Sequence, residues 1–283
     1  MTIIIGIVLV LASVVAGYLM AGGALGVLLQ IPEFVTIIGV TVGGMMIAAP
    51  MSVLQKAVKY IPKAMTHKPY SKDDYMALLK SFYDLFVLAQ RNGLLSLEKH
   101  VENPAQSDVL GKNAKFLSNT IAVSFVADTL KVMLSGGVPP HEIEELMDIE
   151  IETFEAENKP VPAIINKAAD SLPGIGIVAA VLGIIITMGS ITDGPEVVGH
   201  HVAAALVGTF VGVLLSYGIF GPLATAVEGL LHEEAHLLQS MKTCIVAYAK
   251  GNPPIVAVEI ARRTIYNDKR PTFSELEQYL RGK

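Results

Sequence analysis

The residues in this chain that could do chemistry are few, and most lie where chemistry is difficult. Inside the third and fourth of its long apolar stretches the informative polar side chains are Thr187, Thr209, Ser216 and Tyr217. None ionises near neutral pH, although each hydroxyl can donate and accept a hydrogen bond. A machine that moves protons through a bilayer needs a titrating group at depth, usually Asp or Glu. These stretches hold none, so either the chain moves no ions or a second chain supplies the carboxylate. Elsewhere there is no phosphate-binding glycine loop, nucleophile elbow or metal-ligand cluster, and no cofactor is implied. His232 and His236 stand four apart and could share a helix face. With no third ligand at motif spacing they read as surface histidines rather than a metal pair. The single cysteine, Cys244, permits no intrachain disulfide and reads as a small buried apolar residue.

The elements that would hold these residues are membrane helices. Hydrophobic residues make up 52% of the 283 positions and charged residues only 17%, outside the range of an ordinary soluble chain. A net charge of −5, with no basic run interleaved with aromatics, excludes a strongly basic nucleic-acid binder. A bilayer core about 30 Å thick calls for about 20 mostly apolar helical residues. Stretches 2–20, 34–51, 172–191 and 201–223 meet that demand without Lys, Arg, Asp or Glu in their interiors. Each charge at mid-bilayer would cost about 3 kcal/mol. Stretch 2–20 lacks the basic flank of a signal peptide, since no Lys or Arg precedes Lys56, and it is read as an uncleaved span.

Basic residues then set the orientation. Thirteen Lys and Arg lie between residues 54 and 171 and eight after residue 231, accounting for all 21. The connections 21–33 and 192–200 carry only Glu33, Asp193 and Glu196. The positive-inside rule therefore puts both long segments and both termini in the cytoplasm. The expected fold is an all-α polytopic membrane protein with four transmembrane helices and a helical cytoplasmic domain. Its divisions are 1–53 (two spans), 54–171 (cytoplasmic helices), 172–230 (two spans) and 231–283 (a helical tail).

The cytoplasmic segments carry ordinary helix signals. Ser71 is placed to cap a helix with Asp73 and Asp74 in its first turn. Tyr75, Leu78, Leu79, Phe82, Leu85, Phe86 and Ala89 recur on one face of it, and Gly93 ends it. A second helix is expected over 114–134. A third opens at Pro139–Pro140, with Ile143, Leu146, Met147 and Phe154 as its apolar stripe. That third helix carries eight acidic residues between positions 142 and 157 and no basic one. They form either a solvated face or a surface for a basic partner. In the tail, Thr272 and Glu275 have capping-box spacing.

Small residues and prolines mark the last two spans. Ala204, Gly208, Gly212 and Ser216 recur every fourth position, and Ala179 and Gly183 do the same on the preceding span. Such seams let helices approach closely in lipid. They serve either this chain's own packing or the helix of a partner, and the missing carboxylate favours the partner. Pro173 is expected as a first-turn residue of its span, and Pro222 to kink or end the next. Together they mark either helix punctuation or a hinge.

Several runs resemble one family. They are Asp170-Ser171-Leu172-Pro173 with Gly176-Ile177-Val178-Ala179-Ala180-Val181, then Val207-Gly208-Thr209-Phe210 with Gly221-Pro222-Leu223-Ala224-Thr225. Gly17-Tyr18-Leu19-Met20, Ser96-Leu97-Glu98, Leu146-Met147-Asp148, Pro253-Pro254-Ile255 and Arg270-Pro271-Thr272-Phe273 follow in register. In order and over nearly the whole chain they resemble MotA, of the MotA/TolQ/ExbB proton channel family. The resemblance implies a flagellar-motor stator subunit of the inner membrane and no enzyme. It implies a homo-oligomeric ring of five around two helices of a MotB-like partner, which carries the ion-binding aspartate. Ion passage would turn the ring, and charged cytoplasmic residues would push on the flagellar rotor, a FliG-like protein. The implied partners are thus MotB, further copies of the chain, the rotor and membrane lipid.

Residue by residue, Pro173 and Pro222 match the family's functional prolines, and Thr209 matches the threonine facing the MotB aspartate. Thr187 and Tyr217 are further candidate neighbours of that path. Sodium-driven relatives place a second threonine where Ala180 stands, and losing that hard-cation ligand favours protons. Glu98 matches the rotor-contact glutamate. The family arginine falls at Gln90, with Arg91 one step later, and one step turns a helical side chain by about 100°. The alternatives are an ExbB/TolQ-like energiser, which usually has three spans, and a secondary transporter, which usually shows internal repeats.

Overall fold

The computed structural model describes residues 2–282, and all side chains in that range except that of Asp193. Helices account for the architecture, and no strand occurs among the described residues. The chain opens with α1 (Thr2–Met20), a single-turn α2 (Leu25–Leu28), α3 (Ile31–Ala48) and α4 (Met51–Thr66). There follow α5 (Lys72–Asn92), α6 (Glu98–Glu102), α7 (Ala114–Leu117), α8 (Thr120–Ser135) and α9 (Pro140–Asn158). The last are α10 (Pro160–Gly189), α11 (Pro195–Leu215), α12 (Gly221–Ala249), α13 (Pro254–Thr264) and α14 (Phe273–Leu280). Among the described residues four helical runs are long and apolar enough to cross a membrane. The chain divides into two compact units, residues 1–67 with 157–231 and residues 68–156 with 232–283.

In the first unit α10 packs against α3, α4 and α11. Ile37, Leu172, Ala179, Val207 and Val211 form its small core, with Phe34 and Ile175 against them. Most other apolar side chains face outward. No residue of α1 is buried, and Ile177, Ile185, Leu206 and Phe210 are exposed on α10 and α11. A soluble domain would not expose such surface, whereas lipid covers it without penalty.

Helix limits depart from hydropathy in instructive ways. The second span ends at Ala48 rather than at 51, because Pro50 follows with an extended backbone. It also begins earlier, at Ile31, with Pro32 in its first turn, which draws Glu33 out of the expected loop and into the helix. The α10 helix starts at Pro160, so Pro173 is an interior residue and not the first-turn residue expected. Its ring leaves the Ala169 carbonyl without a helical donor. Pro222 does not end its helix. A π-turn over Ser216–Phe220 precedes it and α12 runs on for 29 residues, the wider turn accommodating the proline ring.

The second unit is an ordinary helical core. Ser71 and Asp74 form a capping box on α5, and Tyr75, Leu78, Leu79, Phe82, Leu85, Phe86 and Ala89 are all buried on its inner face. Each such large side chain contributes about 1.5–3 kcal/mol by leaving water. Phe86 stacks on Tyr248 at 4.1 Å, and Cys244 beside them is fully buried. The expected helix over 114–134 is broken at Ser118–Asn119, where the Asn119 side chain caps α8. On α9 the inner stripe is Ile143, Met147 and Ile151, while Leu146 points outward.

Three of the eight acids on α9 are held within the chain. Glu144 pairs with Lys250, Asp148 with Lys242 and Glu157 with Lys56. His236 is no free surface histidine. Its Nε2 lies 3.0 Å from the Thr264 carbonyl oxygen and its ring stacks on Tyr266 at 3.9 Å. Burial holds its pKa below the usual histidine range. No group of three metal-ligating side chains occurs among the described residues.

Candidate ion-pathway site

The polar residues of the membrane unit are positioned by glycine. Where α10 and α11 meet, their backbones touch. A methyl carbon added to Gly176 would lie 2.7 Å from the Gly208 carbonyl oxygen. One added to Gly212 would lie 2.5 Å from the Leu172 carbonyl oxygen, and one on Gly183 would lie 2.7 Å from Ala205 Cβ. No side chain fits in those gaps. The small-residue seam therefore packs this chain's own two helices together, which answers part of the choice the sequence left open.

That contact brings Ala180 and Thr209 into one neighbourhood. Ala180 is buried, and its amide nitrogen would lie 3.3 Å from a methyl carbon on Gly208. The Thr209 Cα would lie 3.2 Å from one on Gly176, and its side chain is half-buried. Thr187 is buried two turns along α10, and its hydroxyl donates to the Gly183 carbonyl at 2.8 Å. Its hydrogen is thus committed to its own helix. Tyr217 is 73% exposed on the π-turn. Ser216 is buried beneath it.

One group was missed by sequence reasoning. Glu33 is only 9% exposed. Its Oε2 would lie 2.7 Å from a methyl carbon on Gly208, and its Oε1 3.3 Å from one on Gly183. An ionisable group therefore does lie within a helix of the membrane unit, whereas the hydropathy pattern puts it in a loop. The available signal was Ile31-Pro32, since proline at the second helical position starts the helix before the apolar run does.

The two prolines flank the same seam. The Leu172 carbonyl, next to Pro173, is the atom that Gly212 approaches, and Pro222 follows the π-turn that closes α11. Outside the membrane unit, Arg91 is exposed in the last turn of α5 and Glu98 opens α6, with Gly93 at φ +84° between them. Gln90 is exposed as well. Neither Arg91 nor Glu98 has an ion-pair partner among the described residues.

Residues 4–93 match the family described as Motility protein A N-terminal, and residues 114–240 match the MotA/TolQ/ExbB proton channel family. Motility protein A of Escherichia coli K12 is 37% identical over 282 residues, covering all of this chain and 96% of that protein. The chain belongs to the motility protein A family. Chemotaxis protein LafT of Vibrio parahaemolyticus, at 34% identity over 98% of this chain and 97% of its own length, is a further relative. Membership in the motility protein A family makes this a membrane channel-family subunit and not an enzyme. The fold agrees with the C. jejuni MotAB structure, at a TM-score of 0.80 and 19% identity over 96% of this chain and 98% of that one. The Bacillus subtilis MotAB stator complex gives 0.75 at 24% identity, over 90% and 92%. These likenesses extend through both units, so the four-span architecture is that of motility protein A.

Proposed function

We propose that this chain is the proton-driven, torque-generating stator subunit of a bacterial flagellar motor, assembled with a MotB-type partner. The observation that carries this reading is the match to Motility protein A along the full length of both proteins. The solved relatives are MotAB complexes, which supports a partner of that type. In this reading the chain sits in the inner membrane with both termini cytoplasmic, and five copies surround two partner helices. The exposed apolar faces of α1, α10 and α11 meet lipid, the partner and neighbouring copies.

Thr209 is the residue that would face the partner's carboxylate. Its hydroxyl can accept a hydrogen bond from the acid and donate one to the anion, so it serves both protonation states without titrating. Ala180 beside it supplies no oxygen, which supports protons as the coupling ion rather than a hard cation that needs such ligands. Thr187 and Tyr217 are assigned to the same path. Pro173 and Pro222 act as its conformational joints, since each removes a backbone hydrogen bond and leaves a helix able to bend. Arg91 and Glu98, exposed on either side of Gly93, form the rotor contact.

The test places the chain and its partner in a cell lacking stators. Swimming is expected in sodium-free medium, and speed that follows sodium would overturn the proton assignment. Thr209→Val should abolish motility at unchanged membrane abundance, and a motile variant would remove Thr209 from the path. Glu98→Lys should weaken rotation and recover with a reversed charge on the rotor.

A further inference from the structure

Glu33 has a position that its role as a helix-start residue does not require. An acid in the first turn of α3 is favourable to the helix dipole while it stands in water. Here the side chain instead runs into the membrane unit, nine-tenths buried, between α10 and α11. Neither carboxylate oxygen has a hydrogen-bond or ion-pair partner among the described residues. The two contacts are with glycines, and nothing larger would leave room for it: an alanine at Gly208 would bring a methyl carbon to 2.7 Å of Oε2. Gly183 lies eight residues inside the outer limit of the apolar stretch 172–191, about 12 Å along the helix. A carboxyl held at that depth without a partner is expensive, and such residues mark ion or proton routes.

The groups that could compete for its proton are sparse. On α10 the ionisable residues are Lys167 and Asp170, at the opposite end of the helix. On α11 they are Glu196, His200 and His201, in the first two turns and on the side of the seam nearer α3's start. On α4 they are Lys56, Lys59, Tyr60 and Lys63, beyond the far end of α3. The hydroxyls nearest to it in the sequence of the seam are Thr209, next to Gly208, and Thr187, one turn from Gly183 toward the outer end of α10.

We propose that Glu33 is a proton-binding site of this chain, the entry relay that loads the partner's carboxylate from the outer side. This rests on the stator reading above. The anionic carboxylate takes a proton from outside water and becomes a neutral acid, which the apolar surroundings tolerate. It passes that proton on toward the partner's aspartate beside Thr209 and returns to the anion, ready for the next. No bond other than O–H forms or breaks. Gly183 and Gly208 are then positioning residues, whose missing side chains make the space in which the carboxyl sits.

The experiment uses the assembled complex in stator-deleted cells, with rotation speed measured against external pH for the unmodified chain, Glu33→Gln and Glu33→Asp. Glu33→Gln keeps the shape and removes the proton site. It should slow rotation, most severely at high external pH where proton supply limits, with membrane abundance and recruitment unchanged. Glu33→Asp should recover part of the speed. Independently, a hydrophobic carbodiimide, which reacts only with a protonated carboxyl, should modify Glu33 in the native complex, as read by peptide mass spectrometry. That modification should weaken as external pH rises. Glu33→Gln rotating at full speed across the pH range would overturn the relay. If that variant fails to accumulate, absence of pH-dependent labelling at Glu33 in the native complex overturns it instead. Failure of the unmodified chain to support rotation would sink the stator reading itself, a separate outcome.

Discussion

In the membrane unit α10 and α11 meet backbone to backbone, Gly176 against the Gly208 carbonyl and Gly212 against the Leu172 carbonyl. In the unit of residues 68–156 and 232–283 the helices meet through large side chains, with Phe82, Phe86, Phe116 and Phe125 almost wholly buried. The difference follows from the solvent each faces. Water rewards the burial of apolar area, so bulky residues gather inside. Lipid tails are as apolar as leucine, so helices associate only where small residues permit close contact. One unit is therefore most sensitive to added atoms and the other to removed ones.

The largest expected effect breaks the first half of that contrast. Gly212→Leu would drive a side chain into backbone that cannot yield, and folded protein should disappear from the membrane fraction. Gly17→Ala, with nothing within 4 Å of the added carbon, should leave abundance unchanged. Equal abundance of both variants would refute the claim that the seam is backbone contact. For the second unit the corresponding change is deletion. Phe86→Ala should cost about 3–5 kcal/mol through lost burial and the cavity beside Tyr248, read as a lowered denaturation midpoint. A loss below about 1 kcal/mol would mean that the core closes over the gap.

The smallest effects concern helix ends. Thr272 caps α14 and should cost about 1 kcal/mol when replaced by alanine. Its capping partner Glu275 is held down to about 2 by the Lys72 ammonium and by the amide and hydroxyl of Thr272. A depressed carboxylate stabilises above its unfolded pKa near 4.5 and loses that contribution as pH falls toward 2. Amide exchange in α14 should therefore accelerate across that window, and in Glu275→Gln the acceleration should vanish.

Legibility in the sequence differed in the same way. The buried face of α5 was readable in full, because large apolar residues at helical spacing say both where the core is and what fills it. On α9 the period was right, but Leu146 points outward and Ile151, left out of the expected stripe, is buried, since hydrophobicity does not say which side of a stripe a neighbour covers. The seam residues were readable as small, but smallness does not name the occupant opposite, and that occupant is partly the chain itself. Helix limits in the membrane unit were misplaced because hydropathy reports the apolar run and not the backbone. That error moved Pro173 from the first turn to the interior and left Glu33 in a loop. The family motifs pointed to Thr209 and both prolines, and no motif pointed to Glu33.

Cys244 lies wholly enclosed beside the Phe86–Tyr248 stack, and burial pushes its thiol far up in pKa. To a maleimide or a spin label the native protein is consequently blank. A single cysteine introduced at Lys112, which is exposed, would be the sole reporter on the molecule without removing the natural one. The chain comes ready for measuring its own rotation, one attached dye at a time.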